Sequence, residues 1–216
     1  MASAPEAQAL TGAWTPPFAV EEALHGVAWL GPATVFPQAI GLASSWDTDL
    51  VRRVGEAVGV EARGFHHRDP VAHGLNVWAP VVNPLRDPRW GRNEEGYSED
   101  PTLTAAMGTA YATGLRGDHP RYLRTAPTVK HFLGYNNEDD RCVTSSDLRP
   151  RVLHEYELLC FRGPVEAGAA VAPSIRTVYS PGSNPVTAAF AGEAFVNWNA
   201  PRSPAKSKLQ SASISS

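Results

Sequence analysis

Short apolar runs alternate with stretches of helical period along most of this chain. That alternation restricts it to folds built from parallel βα units. Leu75 to Val82 and Thr125 to Phe132 have strand length, the first interrupted by Pro80. Between them, Pro101 at a helix start, Leu103, Met107, Ala110, Tyr111 and Leu115 on one face, and Gly117 at the end predict a helix. An earlier helix is predicted from Thr48 to about Gly64. Asp47 is its N-cap, and Leu50, Val51, Val54, Ala57 and Val58 form its apolar stripe. Arg52, Arg53, Glu56 and Glu61 then face solvent, with Arg52–Glu56 as an i,i+4 pair worth tenths of a kcal/mol. A third helical stretch, Leu148 to Glu166, carries Val152, Leu153, Tyr156, Leu159, Cys160 and Val165 and stops near Gly168.

The segment Arg86-Asp87-Pro88-Arg89-Trp90-Gly91-Arg92-Asn93-Glu94-Glu95-Gly96-Tyr97-Ser98-Glu99-Asp100 follows the first apolar run directly. It holds three arginines, five carboxylates and two aromatics, at the C-terminal end of an expected strand, where βα-type barrels carry their chemistry. Aromatic planes beside guanidinium and carboxylate groups suit a sugar ring, which has apolar C–H faces and paired hydroxyls.

Four ordered segments carry a family resemblance: Glu22-Ala23-Leu24-His25-Gly26, Ala33-Thr34-Val35-Phe36-Pro37, the Arg86–Asp100 signature, and Lys130-His131-Phe132. Over about residues 16–172 the chain resembles the N-terminal domain of glycoside hydrolase family 3, the retaining β-glucosidases and β-xylosidases. Glu rather than Asp at position 22 leans toward the β-xylosidase-like branch. The resemblance implies an α/β fold, a partial (β/α)₈ TIM-type barrel made of its N-terminal units. At 216 residues the chain is short for a complete barrel of about 250.

The implied activity is hydrolysis of terminal β-D-xylosyl or β-D-glucosyl residues with retention, acting on an oligosaccharide or other β-glycoside and needing no cofactor or metal. Such chemistry requires two carboxyl groups about 5 Å apart across the anomeric carbon. The family's nucleophile lies in a serine-aspartate-tryptophan motif, and no such motif occurs here. No catalytic residue is therefore assigned, and the isolated chain is expected to be inactive. A non-catalytic sugar-binding module and a functionless fragment or frame-shifted product stand as alternatives.

The resemblance implies four sugar-gripping residues. Glu22 matches the carboxylate that accepts hydroxyl hydrogens; without that match it reads better as an exposed acid beside Glu21. Arg92 matches the sugar-contacting arginine, whose planar fork suits adjacent hydroxyls. Lys130 and His131 match a strand-end pair, both expected to donate to hydroxyls. Arg89, Glu94, Glu95, Glu99 and Asp100 are expected to support Arg92 through ion pairs. Arg86 and Glu94 are read as solvated charge, and His25 as structural, packed near Glu22.

A net charge of −3 gives no footprint for nucleic acid or an anionic membrane, and acidic neighbours argue against Trp90 as a base-stacking platform. His66, His67, Asp69 and His73 match no zinc spacing, and Asn136 to Asp140 is read as a loop near the sugar cleft. Cys142 and Cys160 lie in no C-x-x-C pattern and are read as free thiols. The N-terminus has no basic and apolar signal-like regions, so a cytoplasmic location is expected. Residues 1–15 read as an irregular lead-in. Residues 173–216, with six serines in the last fourteen, read as a divergent and largely disordered tail.

Overall fold

The computed structural model describes residues 20–139, 146 and 148–173. The lead-in over 1–15, the tail from 174 onward, and Cys142 lie outside the described residues. Four strands, β1 (Val20–Glu22), β2 (Asn76–Trp78), β3 (Ala126–Phe132) and β4 (Ala170–Pro173), form one parallel sheet in chain order. Glu22 stands opposite Trp78, Val77 opposite Pro127, and Val129 opposite Val171. Sequential parallel strands with intervening helices are the first half of the (β/α)₈ pattern.

The helices are α1 (Ala39–Ala43), α2 (Thr48–Arg68), α3 (Pro101–Arg116), α4 (Pro150–Val152) and α5 (Leu158–Glu166), with a π-helical turn at Leu153–Glu157 between the last two. Asp47 caps α2 by accepting from Leu50 N at 2.9 Å, and Asp100 caps α3 by accepting from Leu103 N at 2.7 Å. We expect Asp100→Ala to lower stability by about 1 kcal/mol in urea denaturation, the usual loss when a helix start keeps an unsatisfied donor. Gly117 ends α3 at φ +75, which a residue with a Cβ adopts at a cost.

Val51, Val54, Val58, Ala62 and Phe65 are the buried stripe of α2, facing Met107, Tyr111 and Leu115 of α3 in one core. The two helices touch backbone to backbone. A Cβ at Gly114 would overlap the Arg52 carbonyl oxygen and lie 2.7 Å from Glu56 N; one at Gly59 would lie 2.9 Å from Leu115 O. The Tyr111 hydroxyl donates to Ala23 O at 2.6 Å, which ties α3 to the end of β1.

Three expectations change. The α2 helix runs to Arg68 rather than Gly64, because Phe65 extends the stripe one turn and the Arg68 guanidinium lies 4.6 Å from its ring centroid. The run Leu75 to Val82 is a strand over only three residues. Pro80 has no N–H for the ladder, which resumes with Val82 N donating to Lys130 O at 2.9 Å. The Leu148–Glu166 helix is split by the π turn, which follows Pro150 and precedes Pro164.

Candidate functional site

Successive side chains of a strand point to opposite faces, so adjacent Glu21 and Glu22 part company. Glu21 is buried and accepts from Gly74 N at 3.1 Å. Glu22, at the C-terminal end of β1, meets Lys130 Nζ of β3 at 2.7 and 2.6 Å through its two oxygens. The pair spans the intervening strand: Trp78, opposite Glu22, lies beneath it with its ring centroid 5.8 Å from Nζ. The lysine is 3% exposed, whereas the Glu22 side chain is 41% exposed. Burial pulls the Lys130 pKa below the ordinary lysine range, and the Glu22 carboxylate opposes that pull. One end of the pair is thus fixed in the protein while the other presents acceptor oxygens outward.

Arg92 is positioned by the turns of its own segment. Trp90 N donates to Asp87 O at 3.1 Å, and Asn93 Nδ2 donates to Asp87 O and Trp90 O at 3.0 and 2.9 Å. Arg92 then binds Glu95 with two parallel hydrogen bonds of 2.7 and 2.6 Å. Burial disfavours the cation, but Glu95 and the Tyr135 hydroxyl outweigh it, so the guanidinium pKa is raised and the charge persists. Lys130 senses the charges of both Arg92 and Glu95, which places these groups in one electrostatic neighbourhood. His131 follows Lys130, with its ring 4.7 Å from that of Tyr135. Tyr135 also packs edge-on against Trp90 at 6.0 Å and sits 5.8 Å from the Arg92 guanidinium carbon. Trp90 Nε1 donates to Glu138 at 2.9 Å, which ties the loop after β3 to the signature segment.

Glu22, Lys130, Arg92 and His131 are therefore all at strand C-terminal ends or in the loops that follow. The expected supporting shell is smaller than the sequence implies. Of its five expected members, only Glu95 pairs with Arg92 among the described residues. Asp100 is a helix cap, exposed Glu99 accepts from the Tyr156 hydroxyl through its carbonyl, and Arg89 pairs in solvent with Asp87, holding that carboxyl down at about 2. Glu94 is exposed, as expected.

Arg86 is not solvated charge. It forms an ion pair with fully buried Glu157 of the π turn and donates to Gly134 O at 3.2 Å. His25 Nδ1 lies 3.0 Å from Phe36 O, a contact that ties the β1 end to the 33–37 segment. His66 caps a turn by contacting His73 O at 2.7 Å, and no group of three metal-ligating side chains converges among the described residues. Cys160 is buried, which pushes its thiol up to about 12. Trp78, Asn83 and Tyr135 are not singled out from the sequence, whereas Glu138 falls in the 136–140 loop read as lying near the cleft. A polar Asn83 inside the apolar run 79–85 was the one available signal.

A parallel sheet with an ion-paired, aromatic-floored cluster at its strand C-terminal ends is the arrangement of a βα-barrel enzyme domain. The profile of the glycosyl hydrolase family 3 N-terminal domain matches residues 2–189, and the chain belongs to that family. Among curated relatives, it is 40% identical over 132 residues to the probable beta-D-xylosidase 7 of Arabidopsis thaliana, covering 53% of this chain and 17% of that one. It is 38% identical over 156 residues to the exo-1,4-beta-xylosidase bxlB of Emericella nidulans, covering 65% and 20%. The chain thus spans about a fifth of these relatives' length.

Among solved structures, it is similar to the GH3 exo-beta-xylosidase XlnD in complex with a xylobiose aziridine probe, with a TM-score of 0.68, 29% identity and coverage of 74% and 23%. The beta-glucosidase DesR of Streptomyces venezuelae, in complex with D-glucose, matches with a TM-score of 0.62, 26% identity and coverage of 74% and 20%. The neighbours are barrel enzymes, and the described residues correspond to part of such a barrel.

Proposed function

We propose that the strand ends of this chain form part of the pocket for the terminal sugar of a retaining exo-acting β-glycosidase, with β-D-xylosyl as the favoured unit and β-D-glucosyl next. The carrying observation is the Glu22–Lys130 pair set over Trp78. A half-exposed carboxylate held by a buried ammonium offers oriented acceptors, Arg92 offers a fixed fork of donors, and the indole supplies an apolar floor for C–H groups. The names of the relatives, mostly xylosidases, support the pentose. Glu22 also supports it, since its extra methylene relative to Asp leaves less room beside the carboxylate.

Bond cleavage needs a nucleophile, and the chain contains no Ser-Asp-Trp motif. We expect the purified chain to give saturable heat with D-xylose, lost in Arg92→Met, and no turnover of an aryl β-D-xyloside. Absence of saturable heat with either sugar would remove the pocket reading. Turnover that Arg92→Met abolishes would show that the chain carries a nucleophile of its own.

A further inference from the structure

We infer that Arg86, held by buried Glu157, is a positioning residue for Arg92: it fixes Tyr135 between two cross-links and so sets where the sugar-facing guanidinium lies. Glu157 belongs to the π turn, a geometry that recurs at functional positions. Its side chain is fully buried. Its Oε1 accepts from Arg86 Nη1, and its Oε2 has no hydrogen-bond partner among the described residues.

Stability alone does not account for such a pair. A buried ion pair with one oxygen unmatched recovers its desolvation poorly, and apolar side chains of similar size would pack as well. What the pair supplies is direction. With Nη1 tied to Glu157, the rigid fork aims Nη2 at Gly134 O, 3.2 Å away.

Gly134 sits where the chain turns out of β3. Its φ of +71 suits glycine, and a Cβ there would lie 3.1 Å from Ser146 Cβ and 3.2 Å from Leu148 Cδ1. Ser146 Oγ donates to the same carbonyl at 2.7 Å. Tyr135 comes next, and on its other side Asn136 Nδ2 donates to Pro84 O at 3.0 Å. The two neighbours of Tyr135 are thus tied to residues 84 and 86, where the segment that carries Arg92 begins. Between these ties the Tyr135 ring packs edge-on against Trp90 and lies 5.8 Å from the Arg92 guanidinium carbon, with its hydroxyl engaged by that group. Glu95 orients Arg92 from within its own turn, and Arg86 orients it through Tyr135 from the neighbouring strand end. Resting on the sugar reading above, the consequence is that a change at Arg86 reaches D-xylose through Arg92, without Arg86 touching the sugar.

The test is ¹H–¹⁵N correlation of the arginine Nε–H groups in the full chain, with Arg92 assigned by loss of its line in Arg92→Met, beside calorimetric titration with D-xylose. Arg63 is the internal reference, since its Nε donates to Arg124 O at 3.0 Å, before β3 begins. Arg86→Lys keeps a cation for Glu157, but one nitrogen cannot occupy both Nη positions. Arg86→Met combined with Glu157→Leu removes the bridge and leaves no buried charge unpaired, which covers the case in which the lysine variant does not fold. Either variant should move the Arg92 line, leave the Arg63 line in place and weaken D-xylose binding about tenfold, the loss of one net hydrogen bond. Glu157→Gln, which keeps an oxygen for Nη1, should leave line and affinity near wild type. An unmoved Arg92 line in a folded variant overturns the inference. So does an equal shift of the Arg63 line, which means general loosening. A moved Arg92 line with unchanged xylose affinity overturns the link to the pocket. A moved line in a chain that binds no sugar even as wild type upholds the positioning and removes the pocket reading.

Discussion

Gly114→Ala is expected to lower stability by about 3 kcal/mol, at the upper end of what overpacking costs. For a chain of this length that corresponds to a fall of roughly 6–12 °C in melting temperature. The reason is that the new methyl would meet main chain rather than a movable side chain: the Arg52 carbonyl oxygen, Glu56 N at 2.7 Å and Gly55 C at 3.0 Å. Relief requires α2 and α3 to separate along the contact that also contains Gly55 and Gly59. A control lies in the same pair of helices. Gly64 of α2 has nothing within 4 Å of its would-be Cβ, so Gly64→Ala should raise stability by about 0.5–1 kcal/mol through helix propensity alone. Thermal melts of the two variants should therefore move in opposite directions. Equal destabilisation would mean that the helix contact is not the cause.

Lys130→Met should split binding from stability. Removing a charge-assisted hydrogen-bond donor from the pocket is expected to weaken D-xylose binding roughly 10–150-fold, which converts from about 1.5–3 kcal/mol. Stability should hold or rise, because burying an ammonium is costly and the orphaned Glu22 keeps access to water. The pH dependence carries a sign that checks this. The folded state binds the Lys130 proton less tightly than the unfolded chain, whose lysine keeps its ordinary value of 10.5. Between the depressed folded pKa and 10.5 the unfolded state holds more protons, so this residue makes wild-type stability rise with pH across that window. The Met variant should lack that increment. A variant that binds xylose normally, or that melts far below wild type, would place Lys130 outside the role given to it.

Much of the framework could be read from local chemistry. Asp47, Asp100 and Gly117 act within a few residues of themselves, and a cap or a positive φ needs no distant partner. The helix faces were legible for the same reason, since a 3.6-residue period is a local property. What escaped was long-range or competitive. Arg86 looked like surface charge because its partner, Glu157, lies 71 residues away on a π turn. Glu95 outcompeted four other acids for Arg92 through its spacing on a short turn, a choice that composition cannot express. The hydrogen bonds of buried Asn83 to the backbone of His131 depend on which strand lies beside it. β4 spans the boundary at which the sequence reading set a tail, because four residues are too few to show a period.

The two ends of the Glu22–Lys130 pair are 108 residues apart in the chain, on strands separated by β2. Ordering that much polypeptide has an entropic cost met before this contact forms, so the grip arrives late in folding. On a ribosome the first βα unit emerges with its carboxylate unmatched and stays so until the third strand has left the exit tunnel. A nascent chain halted anywhere before Lys130 thus has helices to show, and a Glu22 carboxylate without the ammonium that orients it.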